Sequence, residues 1–167
     1  MKFTLIHVFD IDRATFERWL NDPELLAMAK TIPNLAGREL VSYREDGKLR
    51  SWVFRNTASG EIPEAARALV KPEMLTWNEE STWDLDAHAF TWRIVPEHFA
   101  HLLDAHGSWS LTEEGARTHR VIDGELRVKV PLVGRLIEEV IVGRVKQSFE
   151  AEASVQRRFY ATKRTGA

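Results

Sequence analysis

The sequence contains no cysteine. That absence removes disulfide staples, thiolate metal sites and cysteine nucleophiles together, and it fits a reducing compartment. An excess of one charge is missing too: 23 basic residues stand against 25 acidic ones along the chain, for a formal net charge of −2. No basic stripe offers a footprint for a phosphate backbone, so nucleic acid is not an expected partner. Long apolar runs are lacking, and nothing reaches the roughly 18 apolar residues of a membrane-spanning helix. The opening Met1-Lys2-Phe3-Thr4-Leu5-Ile6-His7 has one basic residue and no apolar run. No secretory signal is therefore expected, and the chain is placed in the cytoplasm. Phosphate-cradling glycine loops, the Gly-x-Ser-x-Gly elbow, His-Glu-x-x-His and the cysteine-bearing zinc patterns are absent, so no cofactor and no metal are expected.

What is present is ordinary globular usage, with 44% hydrophobic and 29% charged residues in 167. That length buries a core without staples and is short for two, so one domain over 1–167 is expected. Lys2 to Phe9 alternates Phe3, Leu5, His7 and Phe9 against Lys2, Thr4, Ile6 and Val8, which predicts a first strand within 1–9. Asp10 or Asp12 can cap a helix carrying Phe16, Trp19 and Leu20. Asn21-Asp22-Pro23 then restarts a second, Glu24 to Lys30, giving two short helices over 12–30. Pro33 to Gly37 reads as a loop. Arg38 to Glu45 and Lys48 to Asn56 flank Asp46-Gly47, the strongest hairpin signal in the chain.

The remaining strands are expected over 38–130, interrupted by an excursion at 57–72, where Ser59-Gly60, Pro63 and Pro72 bracket a helix-favouring stretch. Strands resume at Met74 to Asp84 and Ala89 to Val95, and again at His106 to Thr112 and Ala116 to Val130. Asp123-Gly124 suggests a bulge or bend, and a bend there would curve the sheet. From Leu132 to Tyr160 no proline occurs, while Val133, Ile137, Val140, Ile141, Val145, Ser148, Phe149, Val155 and Phe159 recur at three-and-four spacing. This predicts a long amphipathic helix over 132–160, with Arg135, Glu138, Glu139, Lys146, Glu150, Arg157 and Arg158 on a solvated opposite face.

A strand, two small helices, six strands in meander order and one long closing helix form the element order of the helix-grip fold. With the opening strand Met1 to His7 and the junction Val128-Lys129-Val130-Pro131-Leu132-Val133-Gly134, the chain resembles the START-like (SRPBCC) superfamily over nearly its whole length. It is similar in particular to bacterial members without assigned function. The resemblance implies an α+β fold: a seven-stranded bent antiparallel sheet, two short helices after strand 1, and the C-terminal helix across the concave face. It further implies a cavity between sheet and helix, used by different members for lipids, hormones, quinones or polyketides. No active site carries over residue by residue.

Strand alternation supplies the candidate wall of that cavity. Trp52 with Phe54, Trp77, Trp83, Phe90, Trp92 and Trp109 each fall on the more apolar face of a predicted strand, facing Ile137, Ile141 and Val145 of the helix. Core packing alone is the competing account of those rings. Glu79 alternates with Trp77, Ser81 and Trp83, so it turns inward with them; it is a catalytic acid or base candidate, or else an arginine-paired structural group, and a one-residue slip would exchange it for Glu80. His98-x-x-His101 has the spacing of one helical turn but no third ligand, and the six histidines read better as surface residues at strand edges.

Three functions follow. The first is noncatalytic binding or transport of a hydrophobic small molecule or lipid, by a monomer or weak homodimer. The second is a cyclase, dehydratase or hydrolase acting on an apolar substrate in the same cavity through Glu79. The third is a protein-interaction module using a sheet edge or the 57–72 excursion.

Overall fold

The structure, a computed structural model, describes residues 1–28, 35–59 and 71–165. Strand β1, Lys2–Phe9, is followed by α1, Arg13–Trp19, whose cap is Asp12: its carboxylate accepts from the Thr15 N–H at 2.8 Å. Helix α2 is Pro23–Met28, and the strands that follow are β2, Leu35–Asp46, and β3, Leu49–Ala58. A 3-10 turn at Pro72–Leu75 leads into β4, Thr76–Asp84, and β5, Ala89–Pro96. A second one, Ala100–Leu102, precedes β6, Leu103–Glu114, then β7, Arg117–Val128, and the long helix α3, Gly134–Thr165. The excursion expected over 57–72 falls for its greater part, 60–70, outside the described residues.

All seven strands are antiparallel, in the order β1-β7-β6-β5-β4-β3-β2. Helix α3 packs chiefly on β7 and β1, and α2 touches it. At that end Phe3, Phe9, Ile11, Phe16, Ile122, Leu126, Val142, Ala153, Phe159 and Tyr160 belong to one buried core. Phe9, Phe16, Trp19, Phe159 and Tyr160 interlock through ring contacts of 4.8–5.9 Å, which seats α1 under the C-terminal part of α3.

Several expected boundaries shift. β2 begins at Leu35, inside the predicted loop, because an edge strand accommodates irregular backbone; its register slips between Leu35 and Gly37 and again between Leu40 and Ser42. β6 begins at Leu103 rather than His106. α3 begins two residues late, since Leu132 sits in the left-handed region (φ 68°) and breaks the helix there. The expected bulge at Asp123-Gly124 is absent, with β7 in continuous register against both β1 and β6. Gly124 lies opposite Gly107 for another reason: a Cβ on Gly124 would overlap the Phe3 ring, and one on Gly107 would overlap the Trp92 ring and the Asp123 carbonyl. The pair lets two aromatic rings come close to the backbone.

The solvated face expected of α3 is also corrected in part. Glu138 accepts from the Val128 N–H at 2.9 Å, Glu150 meets His7 at 3.0 Å, and Arg157 donates to the Val8 carbonyl at 3.2 Å. These groups clamp the helix margins to the sheet. The Val128 amide is the main cause that holds the Glu138 carboxyl below its ordinary range. His98 and His101 do not share a helical turn, because Phe99 between them is left-handed (φ 58°) and starts only the short turn Ala100–Leu102. Both are exposed. His7, expected at a surface, is buried.

Candidate functional site

Cross-strand register decides which side chains share the face that carries α3. Tyr43 lies opposite Trp52, Trp52 opposite Ser81, and Ser81 opposite Trp92. Arg50 is opposite Trp83, Trp83 opposite Phe90, Phe90 opposite Trp109, Trp109 opposite Ile122, and Ile122 opposite Leu5. Since paired residues project to the same side, the parity expected from alternation holds: Trp52, Phe54, Trp77, Glu79, Trp83, Phe90, Trp92 and Trp109 all stand on the concave face. The opposite face is polar, with Ser51 and Thr82 sharing a hydrogen bond and ion pairs Arg93–Glu80 and Arg55–Glu97.

On the concave face the rings form a floor. Tyr43 packs on Trp52 at 5.4 Å, Trp52 on Phe90 at 6.2 Å, and Phe90 stacks on Trp109 at 4.8 Å with 12° between planes. Trp83 and Trp109 are buried, whereas Trp52, Phe90 and Trp92 remain half-buried. Tyr43 and Leu40 are exposed at the β2 end, where a recess of about 370 Å³ is bounded by Asn21, Leu40, Tyr43, Glu45, Arg50 and Trp52. Trp77 lies at the far end of β4 opposite Asn56 and Pro96, away from this recess. Ile137, Ile141 and Val145 of α3 are half-buried, with Ile141 and Val145 packed against the core.

Glu79 does face inward, and it is engaged. Arg38 donates to both of its carboxylate oxygens at 3.2 Å, and the same guanidinium reaches Asn56 and lies 4.1 Å over the Phe54 ring. A bidentate guanidinium occupies the oxygens that a general acid or base would use.

A second group, not found from the sequence, closes the other end of the floor. Arg120 is 1% exposed, with its Cζ 5.9 Å from the Trp109 ring and 5.4 Å from Phe9. It donates to Glu152 at 2.7 Å and to His7 Nδ1 at 3.0 Å. Because Nδ1 accepts, the His7 proton sits on Nε2 and is donated to Glu150. Burial, and then the Arg120 charge, hold the His7 pKa below its ordinary value, so the ring is neutral. Gln156 donates to Glu152 at 3.1 Å, and burial pushes the Tyr160 hydroxyl well above the usual phenol range, so it stays protonated. The signal for this cluster was strand parity: Arg120 shares its face with Thr118, Ile122 and Leu126, and His7 shares its own with Phe3, Leu5 and Phe9.

Comparison with known proteins agrees with this architecture. TTHA0849 from Thermus thermophilus superposes with a TM-score of 0.65 at 18% identity, covering 95% of each chain. The Zhui aromatase/cyclase from Streptomyces sp. R1128 gives 0.66 at 15% identity over 95% of this chain and 94% of that one. A START superfamily protein from Mycobacterium smegmatis gives 0.60 at 14% identity over 95% and 98%. No curated protein matches. Among the described residues no helix is long and apolar enough to cross a membrane. The helix-grip fold is thus that of the START-like superfamily, and since residues 4–159 match the model of the family described as "Protein of unknown function (DUF2505)", the chain belongs to that family.

Proposed function

We propose that the protein binds, without chemical conversion, a hydrophobic small molecule or lipid between α3 and the aromatic floor, and carries or sequesters it. The observation that carries this reading is the half-buried state of Trp52, Phe90 and Trp92 on the face that a helix would be expected to seal. Large rings left partly uncovered on a concave surface lose the stabilisation that full burial would give, and a ligand that covers them restores it. The recess at the β2 end, walled by Asn21, Leu40, Tyr43, Glu45 and Arg50, adjoins this floor at Trp52. The structural neighbours support ligand binding only at the level of fold, one of them being an aromatase/cyclase by name.

A catalytic role through Glu79 has less support, because Arg38 occupies both of its oxygens. The docking alternative draws on one observation, the exposure of Leu40, Val41, Tyr43 and Leu49 on the β2–β3 hairpin at the sheet edge. Light scattering at micromolar concentration tests it; a dimer dispersed by Val41→Lys would favour it.

The decisive experiment for binding is native mass spectrometry of protein purified from its own host with no ligand added. A discrete mass increment that is lost on denaturation is expected, together with quenching of tryptophan fluorescence when the extracted compound is returned. A bare mass, with no saturable quenching by any apolar compound offered, would overturn the reading.

A further inference from the structure

The sheet ends in two edge strands, β1 and β2, and they differ. At β1 the Val8 carbonyl is taken by Arg157 of α3. β2, a strand of 12 residues, has β3 as its neighbour in the sheet, and every residue from 36 to 49 is exposed, Leu40, Val41, Tyr43 and Leu49 among them. A long edge with open N–H and C=O groups is a template for another strand.

The order of residues along β2 identifies its occupant. Arg38-Glu39-Leu40-Val41-Ser42-Tyr43-Arg44-Glu45 is complementary to itself when two copies run antiparallel: Arg38 meets Glu45, Glu39 meets Arg44, Leu40 meets Tyr43 and Val41 meets Ser42. Each pair then occurs twice about a two-fold axis. Such an axis, normal to the sheet, keeps both concave faces on one side, so residues that pair across it must face the same way. In a regular strand they would not, because Arg38 and Glu45, like Leu40 and Tyr43, stand an odd number of positions apart.

The bulge in β2 restores the match. Its register slips by one between Leu40 and Ser42, so Arg38, Leu40, Tyr43 and Glu45 lie opposite Asn56, Phe54, Trp52 and Arg50 on the concave side. Glu39, Ser42 and Arg44 lie opposite Arg55, Val53 and Ser51 on the convex side. Both charge pairs and the Leu40–Tyr43 pair thus agree in side as well as in chemistry. On the concave side Arg38 already holds Glu79, and Glu45 holds Arg50. Contact between Arg38 and the partner subunit's Glu45 joins these into one row of alternating charge. Glu39 and Arg44 enter no ion pair among the described residues.

We infer that the protein forms a homodimer through β2, two copies pairing this edge antiparallel about an axis at Val41 and Ser42 into one continuous sheet. An isologous contact of this kind closes on itself instead of growing into a fibre. It does not depend on whether the aromatic floor holds a ligand.

Sedimentation equilibrium of the full chain at high micromolar concentration is expected to show a dimer. Glu39→Arg and Arg44→Glu, each alone, set like charges against each other at both ends of the seam and should weaken the dimer by about tenfold or more. Mixed in equal amounts, the two variants are complementary at every charge pair, so a heterodimer should form with an affinity within about threefold of the unsubstituted dimer. A fluorescent label on one variant reports it, and circular dichroism verifies each fold. Single variants that dimerise as tightly as the unsubstituted chain, or a mixture that associates no better than either alone, would overturn the inference. A monomer throughout would overturn it too, and would leave the edge to a strand of another protein.

Discussion

Replacing Arg120 by Met tests whether the buried cluster is a coupled unit. The change removes a donor to Glu152 at 2.7 Å and one to His7 at 3.0 Å while keeping most of the side-chain volume. Breaking a buried ion pair from one side costs ~3–5 kcal/mol, chiefly because the surviving charge is stranded. Glu152 keeps 28% of its side-chain exposure and can turn partly to water, so the lower end applies, about 3 kcal/mol. For a chain of this size that is a fall in Tm of roughly 6–12 °C. Removing both charges, with Arg120→Met and Glu152→Met together, leaves no stranded ion. Gln156 loses an acceptor and the buried His7 Nδ1 loses its donor, so the double variant should lie within about 2 kcal/mol of the unsubstituted protein. Guanidinium unfolding at about pH 7.5, above the range in which histidine titrates, followed by circular dichroism, gives all the corners of the cycle. Additive losses, or a single-variant loss under about 1 kcal/mol, would refute the claim that the pair is buried and coupled.

The His7 pKa lies below its ordinary value of 6.5, so the unfolded chain binds the extra proton first; the stability from its neutral form is complete above that pH and drains away as pH falls towards the lowered value. Thermal melts from about pH 7.5 down to about pH 5.5 should therefore fall more steeply for the unsubstituted protein than for His7→Gln, and parallel slopes would contradict the assignment. Gly107→Ala forces a Cβ into the Asp123 carbonyl and the Trp92 ring; since backbone cannot yield as a side chain can, a loss of about 3 kcal/mol is expected in urea unfolding, with altered tryptophan emission. Glu79→Gln should cost at most about 1 kcal/mol, because the Arg38 pair is partly exposed, and should leave ligand affinity within about twofold; abolished turnover of any substrate would restore the catalytic reading. Val145→Trp adds bulk from α3 towards the floor, and it should weaken ligand uptake by about tenfold or more with Tm within a few degrees, as titration and a melt would reveal.

Much of the fold was legible because strand alternation and antiparallel register reinforce each other. Once Trp83 is placed inward, Phe90 and Trp109 opposite it must be inward too, and Trp52 follows through Ser81 and Trp92. Glu79 followed by the same parity, and the alternative that it pairs with an arginine is what the structure has. Parity put Arg120 and His7 on inward faces, but their union with Glu152 was not legible, for a physical reason. An arginine in a strand is ordinarily a solvated residue, and its burial depends on partners 113 and 32 positions away, His7 and Glu152, which only the folded chain brings together. The boundaries missed at β2 and β6 belong to an irregular edge and to a left-handed Phe99, neither of which leaves a periodic trace.

The long helix shows why one apolar stripe understated the design. A single, evenly buried face does not describe α3: Val142, Ala153, Gln156 and Tyr160 are sealed against the core, whereas Ile137, Ile141, Val145 and Phe149 stay half-covered. Geometry accounts for the split. Seven strands at about 4.8 Å spacing present a face roughly 29 Å wide, and one helix with its side chains is only about 10–12 Å across. Seated chiefly on β7 and β1, α3 covers β3, β4 and β5 less fully, and Trp52, Phe90 and Trp92 on those strands stay half-buried. The uncovered floor is therefore a consequence of where the helix is anchored. That anchor is made by Arg120, Glu152 and Tyr160 together with the clamps at Glu138, Glu150 and Arg157. The same residues that fix the helix thus determine how much of the floor is left for a ligand.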